Sequence, residues 1–466
     1  MKKLLSTSLI TLCFSSLYAV TTYDVQSNAN INQYLTDEGS LSDDVVINVA
    51  KDVVLSAGAA KNPFGIKLNG KTLTIQGDGS VDQVNYIDLK SSAGTVYFNI
   101  DSTRTRLTSN AENTVYIGKD ASGNIINGIT QFGAMFNKGG ILAYGNTVFT
   151  GTFNVCSNTV KTYIDENVSL GTSSSKLSDS RFMYAEINGS LYKTGVQTAN
   201  GWRYSLAFGV ISVKSDGSVD TDRSTFSKEI KLGATARIYN SSTNTNAYTQ
   251  IYCEDFISNI DTTNKKGVFQ SAQELHIYDG SKITLNTSNA FNIGMTGGSY
   301  NTQANSTFHI GEKLTKNTKP YGSNANVDVS TAMNADVTLI VNADNDIGKI
   351  AFCYASATEK SSLNLLFGNN NLTIGDIDFY NDYCSIVLSD NTFHNDRLKF
   401  TEHDVAYWQA LIDKGTISYV GDSEGVLTAV ATDGGVFINV VVPEPAEWAM
   451  IFGGIALAFV MYRRRA

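Results

Sequence analysis

Apolar and polar residues alternate with a period of two along most of the chain. Segments such as DDVVINVAKDVVLSAG, GKTLTIQGDG, GTVYFNIDS, GNTVFTGTFNV, KEIKLGATARIYNSS and SLNLLFGNNNLTIGDIDFYND alternate over short runs before Gly, Asn, Asp or Ser breaks them. Period two is the signature of a strand with one buried face, and the breakers are turn formers. No window before residue 400 carries the spacing of an amphipathic helix, so the body from Val20 to Asn439 is predicted to be nearly all β.

A β-rich chain of 466 residues can be several sandwiches in series or one long solenoid. Sandwiches call for linkers about every 100 residues. The body holds only Pro63 and Pro320 and shows no break in composition. A loose phrase recurs instead: an apolar-x-apolar pair, a Gly or Asn/Asp turn, and a second such pair. It starts near Ile164, Ile187, Ile230, His276, Phe308, Val337 and Leu363. Many starts are about 22 residues or twice that apart, a coil length suited to a parallel β-helix. The predicted fold is therefore all-β, a right-handed parallel β-helix or β-solenoid over residues 20–399. Inward positions would form a ladder of Val, Ile, Leu and Phe. Outward Asn, Ser and Thr would hydrogen-bond along the stack or close turns, which explains why only 17% of the residues are charged.

One segment departs from period two. In FTEHDVAYWQALIDKGTISY, Phe400 to Tyr419, the residues Val405, Trp408, Leu411 and Ile412 recur at helical spacing. Thr401 is placed to cap this helix, with Asp404 three residues later in a capping-box arrangement, and Gly415 ends it. A helix just before the final strands suits a terminal cap, residues 400–442, over the open end of the stack.

The two ends read as addresses. MKKLLSTSLITLCFSSLYAV opens with two lysines, continues with an apolar stretch and reaches a small residue at Ala19, the order of a secretory signal peptide over residues 1–19 cleaved after Ala19. Val442, Pro443, Glu444, Pro445 and Ala446 lead into WAMIFGGIALAFVMY, and the sequence stops at RRRA. Ala446 to Tyr462 as a helix would span about 26 Å, adequate for a thin bilayer. A single transmembrane helix is expected over 447–462. Trp448 and Tyr462 would lie at its membrane edges, and Arg463, Arg464 and Arg465 would stop transfer on the cytoplasmic side. The two prolines keep Val442 to Pro445 extended.

This tail, a Pro-Glu-Pro motif followed by one apolar helix and an arginine cluster, resembles the PEP-CTERM sorting signal of Gram-negative bacteria over residues 443–466. The resemblance implies export through the Sec machinery, transient membrane anchoring, and recognition and cleavage near Pro443 to Pro445 by an exosortase, with delivery to the cell surface or an extracellular polysaccharide matrix. The body resembles, in pattern only, the β-helical passenger regions of autotransporters.

Charge narrows the partners further. The net charge is −9, and the two ends are basic, which leaves residues 20–442 at −12. A body this acidic has no footprint for phosphate backbones, so nucleic acid is excluded as a partner. After removal of Cys13, the cysteines Cys156, Cys253, Cys353 and Cys384 remain; Cys353 and Cys384 form the candidate disulfide, with buried free thiols as the alternative. No metal-ligand spacing and no phosphate loop is present, and no cofactor is expected. His276 and His309 fall within strand patterns and are expected on a sheet face; His394 and His403 stand apart. Glu402, His403 and Asp404 are consecutive in the helical segment and cannot form a triad by themselves.

The enzymatic alternative is a carbohydrate-active β-helix, a polysaccharide lyase or glycosidase. Its carboxylates would be Asp376, Asp378 and Asp382, of which Asp376 and Asp378 share a strand face, although no basic partner is adjacent in sequence. Asp78 with Asp82, and Asp344 with Asp346, could hold calcium, but solvated turns explain them better. The reading is an exported, non-enzymatic structural or adhesive solenoid that meets exopolysaccharide or other surface proteins.

Overall fold

The computed structural model describes residues 19–441 together with Arg463, apart from internal segments of which the longest are 194–203, 215–219, 241–247, 301–305 and 319–326. The segment before Ala19, expected to be a signal peptide, and the tail expected to carry the sorting motif, including Pro443, Glu444, Pro445, Trp448, Tyr462, Arg464 and Arg465, lie outside the described residues. Among the described residues no helix is long and apolar enough to cross a membrane.

The described residues are all β apart from a 3-10 turn at Ile31–Gln33 and one α-helix. Its strands pair in parallel, in register, with strands one coil away, the arrangement of a β-solenoid. The first face can be followed through Val20–Val25, Asp44–Val49, the start of Thr72–Val81, and the start of Gly94–Ser109. It continues through Asn113–Ile117, Gly140–Ala143, Thr162–Ile164, Tyr184–Ile187, Ser227–Leu232, Cys253–Ser258, Lys282–Leu285 and Asp336–Val341. Two further ladders close each coil. One runs through Val148–Phe149, Ser169–Leu170, Ser190–Lys193, Arg237–Asn240 and Val268–Ser271. The other runs through Phe153–Val155, Ser180–Phe182, Tyr204–Phe208, Tyr248–Ile251, Leu275–Ile277 and Thr307–Ile310.

Register sets the coil length. Leu73 lies beside Val96, Val115 beside Ile141 and Ile164 beside Ile187, so neighbours in space are 19 to 28 residues apart in this part of the chain. Two coils are longer. Ala185 pairs with Ile230 and Ile283 with Leu339, so each of these coils carries an insertion relative to the others. The second insertion contains an antiparallel hairpin, Glu312–Thr318 with Val327–Met333. The recurring phrase seen in the sequence therefore marks real coils, and its irregular period comes from corners and insertions of different length.

Because parallel strands stack like on like, inward residues form continuous columns. Phe153, Phe182 and Phe208 succeed one another with ring centroids 5.7 and 5.9 Å apart, and all three are fully buried. Outward residues bond along the same axis. Asn48 Nδ2 donates to Asp24 Oδ1 at 2.9 Å and Gln76 Nε2 to Asn48 Oδ1 at 2.9 Å. Asn286 and Asn342 extend a second such ladder from Asn259, at 2.7 and 2.8 Å. At corners, Asp44, Asp101, Asn289 and Asp344 accept backbone N–H groups from the next coil at 2.7 to 2.9 Å. The abundance of Asn and Asp thus satisfies the backbone at turns.

The stack changes character at its C-terminal end. Leu398–Phe400 pairs antiparallel with Gly435–Val441, which pairs antiparallel with Val426–Thr432. Between them the helix Val405–Asp413 lays Trp408, fully buried, over Phe400 with centroids 3.8 Å apart. The helix is shorter than the sequence pattern suggests, and its N-cap is Asp404, whose carboxylate accepts from Tyr407 N, rather than Thr401. His403 takes a positive φ of 64° just before the cap, which stops the helix from starting earlier. Gly415, at φ 79°, ends it as expected.

Candidate functional site

Strand alternation sends Leu275 and Ile277 inward and turns His276 to the other side. One coil later Phe308 lies beside Leu275, so His309 lies in register with His276. The two imidazoles stack with centroids 4.7 Å apart and planes within 9°. His276 Nε2 is 2.9 Å from Glu274 Oε2, and its Nδ1 is 3.1 Å from the carbonyl oxygen of Gly311. Gly311 has φ 77°, and a Cβ there would collide with the Met333 carbonyl. That position requires glycine because the root of the inserted hairpin crosses the coil at this point.

The next coil adds Cys353, whose Sγ lies 3.6 Å from His309 Nδ1 and 3.8 Å from the Ala351 carbonyl oxygen. Burial pushes the Cys353 thiol up to about 12, with the nearby Glu312 and Glu274 carboxylates adding to it. It is a neutral thiol that can donate to Ala351. Burial also lowers His309 to about 4, helped by the adjoining His276. Beside them, buried Glu312 accepts the hydroxyl of buried Tyr278.

The strip continues onto carboxylates. Ala351 pairs with Asp378 and Lys349 with Asp376, and Lys349 Nζ lies 3.8 Å from Asp376 and 3.4 Å from Asp378. His403 Nε2 lies 3.2 Å from Asp376 Oδ1 and its ring stacks on Tyr407 at 4.0 Å. Tyr407 is raised above the usual phenol range by burial and by Asp376 and Asp378. The basic partner absent from the adjacent sequence is Lys349, one coil away and 27 positions earlier than Asp376. Coil spacing is the signal that could have found it.

The other candidates are dispersed. Asp382 pairs with Lys414, Asp82 forms a bidentate pair with Arg104 at 2.7 and 2.8 Å, and Asp344 holds Asn371 N at 2.7 Å. Asp82 and Asp344 thus bind protein groups. The Cys353–Cys384 disulfide is not formed: Cys156, Cys253, Cys353 and Cys384 are all free thiols. Cys384 sits on the first face, beside Ser361, whereas Cys353 follows the strand that bears Lys349, so proximity in sequence did not give the geometry of a bridge. Glu402, His403 and Asp404 form no triad, since His403 faces Asp376 while Asp404 caps the helix.

Chemically, this strip offers two stacked imidazoles, four carboxylates, a lysine and a neutral thiol on one side of the stack. No protein-family model, curated protein or solved structure matches this chain.

Proposed function

We propose that this chain is an exported surface or matrix protein with a structural or adhesive solenoid as its body. Its export would use the Sec machinery, and an exosortase would recognise and cleave the tail near Pro443 to Pro445 after transient anchoring in the inner membrane. The solenoid is read as right-handed, the hand that parallel crossovers take. The observation that carries the reading is the pair of outward polar ladders, Asp24–Asn48–Gln76 and Asn259–Asn286–Asn342, which present hydrogen-bonding groups, all but Asp24 neutral, at a fixed spacing of about 4.8 Å. Such a surface suits a polysaccharide, whose hydroxyls repeat at a fixed interval.

Two measurements test it. Mass spectrometry of surface material should show a C-terminus close to Pro443; an intact RRRA end would sink the processing step. The mature protein should also bind the producer's own exopolysaccharide above a control protein, and an equal signal would remove the matrix role.

Lys349, set between Asp376 and Asp378 with His403 beside them, favours a second reading, a polysaccharide lyase or glycosidase. Release of unsaturated or reducing ends from acidic polysaccharides would establish it.

A further inference from the structure

The polar contacts of His276 are one hydrogen short. Both ring nitrogens face oxygen: Nδ1 the Gly311 carbonyl at 3.1 Å and Nε2 the Glu274 carboxylate at 2.9 Å. A neutral imidazole has one N–H, so either tautomer leaves a lone pair pointed at an oxygen lone pair. His276 is buried, which holds it in this position. A second proton, or a metal ion beside Nε2 and Oε2, removes the conflict.

The neighbouring residues favour the metal. One ring nitrogen of His276, one of His309 and a carboxylate oxygen of Glu274 all lie within 4.8 Å of one another. Tetrahedral zinc with bonds of about 2.0–2.1 Å needs ligand atoms about 3.3 Å apart; Glu274 Oε2 is already 2.9 Å from His276 Nε2, so the approach must come from the two stacked imidazoles, 4.7 Å apart between centroids, turning toward a shared ion. Ligating histidines commonly donate their second nitrogen to a carbonyl or another acceptor, which fixes the tautomer. His276 does this to Gly311. His309 has the equivalent partner in Cys353: the thiol donates to the Ala351 carbonyl, so its sulfur can accept from Nδ1–H and leave Nε2 with its lone pair.

We propose that Glu274, His276 and His309 bind a divalent transition metal of the imidazole-preferring class, zinc foremost, through His276 Nε2, His309 Nε2 and the Glu274 carboxylate. Three protein ligands leave one position open toward solvent. The ligands come from two successive coils, and Gly311 stands at the root of the inserted hairpin. The ion would therefore clamp the hairpin's base to the stack.

The test is zinc titration by calorimetry of the chelator-stripped, untagged mature protein, repeated with Glu274→Gln and His309→Gln. The native protein should take up a single equivalent and show a higher thermal midpoint with zinc. Glu274 is exposed, so Glu274→Gln should fold as the native protein does and lose affinity by about tenfold or more. His309→Gln should lose the zinc-dependent rise in midpoint, and cobalt(II) should give the visible absorption of a tetrahedral site in the native protein only. Absence of uptake by the native protein would overturn the proposal, with a second proton then resolving the contact at His276. Equal affinity in native protein and Glu274→Gln would overturn it as well, placing the ion elsewhere.

Discussion

The ladder Asp24–Asn48–Gln76 and the strip His276–His309–Lys349–Asp376 rest on the same kind of backbone, yet they use the coil spacing in opposite ways. In the first, each side chain repeats or complements the one below, and amide hydrogen bonds run along the axis at 2.9 Å. In the second, titratable groups are brought together in pairs: His276 and His309 with rings at 4.7 Å and, offset from them by two residues on the next coil, Lys349 beside two carboxylates. A parallel stack forces outward neighbours together about every 4.8 Å whatever they are. Neutral amides gain from this. Charged and ligating groups need a cation, a counter-charge or a binding partner, so the strip is where chemistry concentrates.

The largest way to break the comparison is to remove what both regions share. Phe182→Ala empties the middle of the Phe153–Phe182–Phe208 column and should cost about 3–5 kcal/mol in denaturant unfolding. A loss under about 1 kcal/mol would mean that the column is not continuous. At the stack's end, Trp408→Ala uncovers Phe400. It should cost a similar amount and add concentration-dependent self-association in sedimentation, since an uncovered end invites edge pairing. An unchanged monomer would deny the helix its capping role.

Smaller changes separate the surfaces. Asn286 both donates to Asn259 and accepts from Asn342, so Asn286→Ala should cost about 1–2 kcal/mol for its two bonds, measured by thermal melting. The smallest effect belongs to the ion-pair ladder on the first face, where Glu186 lies 3.2 Å from Lys161 and 3.3 Å from Lys231. Burial pushes the Glu186 carboxyl up, but hydrogen bonds from the two ammonium groups outweigh this and hold it below the ordinary 4.5. A carboxylate lowered on folding contributes stability above its ordinary value and loses it as pH falls through the folded value. Glu186→Gln should therefore flatten the acid limb of stability below pH 4.5 and change neutral stability by under about 1 kcal/mol, since the lysines are partly solvated. An unaltered acid limb would show that the ladder carries no net attraction.

Much of the fold was legible because period-two alternation reports one buried face directly. Val337 and Leu363, picked out as starts of one recurring phrase, are Cα partners in the structure, and so are Ile164 and Ile187. The site was far less legible. His276 and His309 were correctly placed on a sheet face, but their stacking depends on a 33-residue coil lengthened by an insertion, which no fixed period anticipates. Lys349 and Asp376 meet for the same reason, by register rather than by sequence neighbourhood. The helix start shifted to Asp404 because the left-handed conformation at His403 is a backbone choice that the spacing of apolar residues does not encode.

The central claim is that residues far apart in sequence are stacked in one rigid, regularly spaced column. Tyr97 and Ile340 lie on the first face, eight coil steps apart through Tyr116, Leu142, Tyr163, Glu186, Lys231, Ile257 and Thr284. Spin labels at these two positions, measured by pulsed dipolar spectroscopy, should give a narrow distribution centred at about 38 Å, eight steps of ~4.8 Å. A broad distribution, or one centred far from that distance, would contradict the continuous stack and return the chain to separate domains in series.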